Sequence, residues 1–161
     1  GFRWERAPLS HWAWPVGGVV GYLILVFVLW IYMGTQFARP AWEMKNLTIL
    51  HNMLLSIGSL VMFLGTAFEL QRRYAQSGTM EWFFCEDPAV RADGPLYFWS
   101  YVYYLSKYYE MLDTVFVLLQ KSNVPHFRLQ VYHHAAVVPM AWLWCQQQQS
   151  LQWGGLLFNT L

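Results

Sequence analysis

Charge is what this 161-residue sequence has least of. Only 12% of its residues are Asp, Glu, Lys or Arg, about half the ~25% of an ordinary soluble domain. That deficit excludes a conventional hydrated surface. Together with 57% hydrophobic residues and long uncharged runs, it places the chain among integral membrane proteins. There is no excess of one sign either. The net charge is +1, so no nucleic-acid surface is expected. Cysteine is equally sparse: Cys85 and Cys145 form no CxxC or metal-ligand spacing. Cys85 falls in a loop, where an oxidising lumen would oxidise it, and Cys145 reads as a core thiol. A cleavable signal peptide is not expected, because the first apolar run is long enough to span and no small-residue cleavage site follows it. The chain begins at Gly1 and stops inside an apolar segment, so it is expected to be a piece of a longer protein.

Aromatic residues are abundant, with 10 Trp and 10 Tyr, as in the interfacial belts of membrane proteins. Arg3 to Pro15, with Trp4, Trp12 and Trp14, reads as an interfacial lead-in. Hydropathy then predicts an all-α, polytopic transmembrane helix bundle forming a single membrane domain over 1–161. Its spans fall at about 16–37, 46–70, 96–119 and 129–145, and a fifth starts at 151. Arg39 and Pro40 close the first span, and the polar run Gln146 to Gln149 follows the fourth. Tyr74 to Pro95 holds most of the acidic and small residues, Pro88 among them. It reads as a solvent-side connection with a short amphipathic stretch near Met80 to Phe84. Basic residues divide five against four between the two sets of loops, so charge does not decide the orientation.

Two polar clusters interrupt the apolar spans. Ionisable groups at membrane depth cost about 2.5–3.5 kcal/mol each on insertion scales, so function is sought there. In the third span, Lys107, Glu110 and Thr114 share a helical face with Asp113 beside it, and Lys107 and Glu110 are expected to pair. The plain structural alternative is a packing ion pair plus a Thr hydroxyl bonded to its own backbone. In the fourth span, Gln130 precedes His133 by three residues and His134 by four, so one face presents an amide and an imidazole together. Adjacent histidines point about 100° apart on a helix, which gives them different tasks.

A di-iron desaturase or hydroxylase uses HxxHH boxes, and His133-His134 superficially fits. Such sites need several boxes, whereas this chain has five His in all. His11 lies in the tail, His51 stands isolated in the second span, and His126 reads as a solvated loop residue. Gln130 occupies the place of the first ligand, and an amide is a poor iron ligand. No metal is expected. Nucleophilic catalysis is the better alternative, because a neutral imidazole can accept an acyl group while a nearby carboxylate or amide fixes its tautomer. A non-enzymatic lipid or solute carrier gated by buried charges is a further alternative.

At these residues the chain resembles the fatty-acid elongase family, the membrane condensing enzymes of very-long-chain fatty-acid synthesis. KYYEMLDT, Lys107 to Thr114, is similar to that family's KxxExxDT motif. QVYHHA, Gln130 to Ala135, resembles its histidine box with Gln in place of the first His. KNLTILHNMLLS around Asn52 is similar to the second span, Cys85-Glu86 to a common loop pair, and LFNT, Leu157 to Thr160, to the opening of NSxxHxxMYxYY. The first span matches in character only. The resemblance implies about four and a half of seven spans enclosing an acyl tunnel. It also implies an acyltransferase that condenses long-chain acyl-CoA with malonyl-CoA to give 3-ketoacyl-CoA and CO2, with no cofactor beyond these substrates. On that model His133 accepts the acyl group, and His134 and Gln130 orient it or stabilise the oxyanion. Lys107 meets the anionic CoA or malonyl group, and Glu110 and Asp113 hold Lys107 and the histidines. Asn52, Thr114, Tyr132 and Asn159 are candidate substrate contacts. The setting implied is the endoplasmic reticulum membrane. The implied partners are the ketoreductase, dehydratase and enoyl reductase of the cycle, and a homodimer is compatible. The Gln form of the box occurs in plant and algal members acting on polyunsaturated chains. The His of the motif beginning at Asn159 would lie beyond Leu161, so the 161 residues alone are expected to be inactive.

Overall fold

The computed structural model describes residues 1–34, 40–87, 89–147 and 151–160, and their regular structure is helical. The expected limits at Phe37, Arg39 and Leu161, and Pro88, Gln148 and Gln149, lie outside the described residues. After a single turn of 3-10 helix at Trp4–Arg6 come α1 (Ala13–Gly34), α2 (Lys45–Ser77), α3 (Glu81–Phe84), α4 (Pro95–Glu110), α5 (Leu112–Leu119), α6 (Phe127–Gln147) and α7 (Gln152–Thr160).

The two longest helices, α1 and α2, are long and apolar enough to cross a membrane. At 1.5 Å per residue α1 is about 33 Å long, against a hydrocarbon core of about 30 Å. Large apolar side chains such as Ile24, Phe27, Leu54, Leu64 and Phe68 are exposed along both. Such surface is tolerable against lipid and costly against water. The lead-in departs from its expected interfacial role at one residue. Trp12 and Trp14 are exposed, but Trp4 is buried and donates its indole N–H to Gln146 Oε1 at 2.9 Å. A buried indole needs such an acceptor. Backbone bonds Trp4 N–H to Ala92 O and Gly94 N–H to Phe2 O stitch the lead-in to the segment before α4.

Helix α2 runs several residues past its expected end and stops at Gly78. There φ is +70° and the N–H returns to Tyr74 O at 2.9 Å, a left-handed cap that Gly adopts without the Cβ penalty. Pro95 starts α4 at a position where a missing N–H costs nothing. The expected third span divides at Met111. That residue keeps helical dihedrals (φ −59°, ψ −22°), so α4 and α5 are separated by an interrupted hydrogen-bond ladder and not by a reversal. Pro139 sits inside α6, where it removes the bond to the carbonyl one turn earlier.

Helix α4 is central, packed on α6 and α2, while α1 covers α5 and α6, and α7 lies on α2. Close approach of α2 and α4 relies on Gly65, because a Cβ there would collide with the indole of Trp99. Gly65→Val is therefore expected to destabilise the bundle by roughly 1–3 kcal/mol through overpacking. Thermal unfolding of the detergent-solubilised protein measures this, and an unchanged midpoint would mean that Trp99 can turn aside.

Candidate active site

Four helices bring polar side chains to a common depth. Asp113 and Thr114 lie six or seven residues before Gln120, and His134 lies seven after Phe127, so α5 and α6 carry them about 10 Å from the turn that joins the two helices. His51 lies six residues into α2. That helix starts at the same end, where Trp42 N–H bonds Leu119 O at 3.0 Å and Gln120 Nε2 donates to Thr48 Oγ1 at 2.7 Å. Tyr22 reaches in from α1.

On α4, Lys107 is buried and donates to both carboxylate oxygens of Glu110, at 2.7 and 3.0 Å. Its ammonium also lies over the Tyr103 ring, 4.2 Å from the centroid, and that ring stacks on Trp144 of α6. Ser106 donates to Glu110 Oε1 at 3.2 Å. The charge is thus fixed by a carboxylate and a π face together, which offsets the cost of taking it out of water.

Adjacent histidines do diverge. His134 is buried, with its ring 6.4 Å from that of Tyr22, whereas His133 is exposed, 5.7 Å from His134 between ring centroids. Asp113, Glu110, His133 and Lys107 all lie within electrostatic range of His134. The α4–α5 cluster and the α6 histidines therefore belong to one region. Gln130 is half-buried on α6.

Several placements differ from expectation. Thr114 does not bond to its own backbone; its Oγ1 and the Tyr22 hydroxyl are hydrogen-bonded at 2.8 Å, and both residues are buried. Tyr22 carried no signal in the sequence, because a single hydroxyl in an apolar span looks like any aromatic. His51 is not isolated. It is 2% exposed, and its Nε2 meets Asp113 Oδ1 at 2.8 Å. Asp113 is thereby held by α2 and not by the α6 histidines. Asn52, one residue on, is turned about 100° away and is exposed. Tyr132 is exposed too, and Asn159, also exposed, donates to Gly155 O of its own helix. Those three do not join the polar region. Among the described residues no group of three or more His, Cys, Asp or Glu side chains is placed to hold a metal ion.

Two cavities are relevant. An apolar groove of about 370 Å³ lies between α2 and α4, lined by Leu54, Met62, Trp99, Val102 and Leu105, with Ser106 and Glu110 also in its wall. A larger, more polar one of about 510 Å³ lies where α6 finishes, against Trp4, His11, Arg91 and Trp142. It contains none of the residues of the two clusters.

Fold and site together define a helical membrane protein with a charged, hydrogen-bonded centre between its helices. The sequence matches the ELO (GNS1/SUR4) family over residues 7–161, and the chain belongs to that family. Fatty acid elongase sre1 of Dictyostelium discoideum is 35% identical over 162 residues, covering 99% of this chain and 58% of the relative. A putative fatty acid elongase of the same organism is 35% identical over 159 residues (99% and 52%), and fatty acid elongase 4 of Trypanosoma brucei brucei 31% over 144 residues (89% and 48%). The chain thus spans about half the length of these relatives. No solved structure matches it.

Proposed function

We propose that this chain is part of a fatty-acid elongase, an acyltransferase that condenses long-chain acyl-CoA with malonyl-CoA in the endoplasmic reticulum membrane. The observation that carries this reading is that Lys107, Glu110 and Asp113 all lie within electrostatic range of the buried His134, beside an apolar groove whose wall includes Glu110. The elongase names of the relatives support it, and the desaturase and carrier alternatives have no such support.

In the first half-reaction an imidazole nitrogen, assigned to His133, attacks the acyl thioester. The N–acyl bond forms as the C–S bond breaks, and CoA leaves as the thiol with the imidazole proton. His134 and Gln130 orient the acceptor or stabilise the oxyanion. In the second, malonyl-CoA loses CO2, and the freed electron pair makes the new carbon–carbon bond to the acyl carbonyl. The N–acyl bond then breaks, and the imidazole regains a proton. Lys107 faces the anionic malonyl or CoA group, with Glu110 holding its ammonium. The acyl chain lies along apolar helix faces, with Thr114 as a substrate contact inside the polar region and Asn52, Tyr132 and Asn159 as outlying ones. Polyunsaturated chains are the substrate class that Gln130 suggests. The product, a 3-ketoacyl-CoA, needs a ketoreductase, a dehydratase and an enoyl reductase next, and these are the expected partners, with self-association as a homodimer.

Microsomes containing the full-length protein, given labelled malonyl-CoA and a panel of acyl-CoAs, are expected to form 3-ketoacyl-CoA two carbons longer. Release of CO2 without a lengthened product, or no malonyl-dependent product at all, would sink the reading.

A further inference from the structure

The second helix supplies an imidazole that the two sequence clusters do not include. His51 is enclosed on three sides: its ring centroid lies 4.7 Å from Tyr109 and 5.0 Å from Phe116, and its Nε2 is 2.8 Å from Asp113 Oδ1. Its Nδ1 is buried and takes no hydrogen bond from the described residues. An ionised carboxylate can only accept, so Nε2 carries a hydrogen, and in the neutral imidazole Nδ1 is then the bare nitrogen. That arrangement leaves an orphan acceptor and avoids an orphan buried donor. The imidazole is thus held in one tautomer and one orientation, with a single polar contact, and that contact is Asp113.

Asp113 is the charge that this contact controls. It lies within electrostatic range of His134 from α6 and of Tyr22 from α1. On α4, Lys107 and Glu110 satisfy each other, and Tyr109 packs on the far side of His51. His133 is the remaining titratable neighbour of His134. Lys107 is thus occupied by Glu110, and the only side-chain hydrogen-bond partner of Asp113 among the described residues is His51. Attack by a neutral imidazole on a thioester develops positive charge on that imidazole. A carboxylate fixed at the same depth stabilises it without reorganising during the step.

We propose that His51 is a positioning residue of the acyl-transfer site: it holds the Asp113 carboxylate within electrostatic range of His134, the imidazole beside the acceptor His133, so that its charge stabilises the positive charge that develops on the histidine pair as the acyl group is taken up. This rests on the condensation reading above and adds α2 to the site. Between α2 and α5 it also separates two contacts. Gln120–Thr48 docks the helices, and His51–Asp113 aims a charge.

The test compares five variants of the full-length protein in microsomes, among them Asp113→Asn and its double with His51→Leu, each checked for yield and monodispersity after solubilisation. His51→Leu removes the donor and is expected to lower kcat by about 10–100-fold, as sub-ångström to 1 Å misplacement of a charged group does. KM for both CoA substrates should move less than about twofold, because no substrate contact is lost. His51→Gln keeps an N–H in reach of Asp113 and should recover most of the loss. Gln120→Leu, which removes only the docking bond, should leave kcat near wild type. In an Asp113→Asn background, His51→Leu should add little, since the two act as one unit. Wild-type kcat in His51→Leu overturns the proposal. So does equal loss in Gln120→Leu, or fully additive loss in the double variant. If His51→Leu does not fold, His51→Gln decides alone: near-wild-type kcat supports the proposal and collapse of kcat overturns it. A wild-type protein that makes no 3-ketoacyl-CoA defeats the condensation reading itself. That outcome is distinct from one in which wild type condenses and His51 is dispensable.

Discussion

Lys107→Met is expected to destabilise the protein by about 3 kcal/mol and to abolish condensation. The stability loss follows from leaving Glu110 without its cation; breaking a buried pair from one side costs roughly 3–5 kcal/mol, and Glu110 is exposed enough to fall at the low end. The loss of activity follows from removing the positive charge proposed to meet malonyl-CoA. A double variant, Lys107→Met with Glu110→Leu, separates the two effects. Replacing both partners with apolar groups of similar size is often neutral for stability, so thermal unfolding in detergent should return close to wild type. Condensation should not return. A stable double variant that still makes 3-ketoacyl-CoA would reduce the pair to a packing staple.

His133→Ala is expected to show the reverse pattern. The side chain is exposed in this part of the bundle, so unfolding should change by no more than about 0.5 kcal/mol. Condensation should fall by about a thousandfold or more, as for loss of a nucleophile. Incubating the wild-type protein with labelled acyl-CoA and no malonyl-CoA should leave the label on the peptide that contains His133, and adding malonyl-CoA should discharge it. Label on another side chain, or normal turnover without His133, would move the acyl acceptor elsewhere.

Those two experiments fall on residues that the sequence already marked. Lys107, Glu110, Asp113, Thr114 and the His133-His134 pair were legible because polar residues are costly in apolar spans, and because helical periodicity is local: a spacing of three or four residues states which side chains share a face. The same periodicity explains why His133 and His134 diverge. The helix contents of the spans were legible for the same reason, although local hydropathy missed the interruption at Met111 and the extension of α2 to Gly78.

His51 and Tyr22 were not legible. One looked like a lone histidine and the other like one aromatic among many. Their roles depend on residues 62 and 92 positions away. Trp4 likewise looked like an interfacial anchor until its indole was found bonded to Gln146, 142 positions along the chain. Such contacts have no period, so no window on the sequence contains them.

By itself, then, the sequence determined that this is a helical membrane chain and that its buried polar residues fall in two stretches. Both follow from composition and from spacings within one helix, and the resemblance of its motifs adds the elongase family. Only the tertiary structure decided that α1 and α2 reach the same depth as α5 and α6. It is that packing which joins Tyr22 to Thr114 and His51 to Asp113, because helices far apart in sequence share a level only once their apolar faces have packed together.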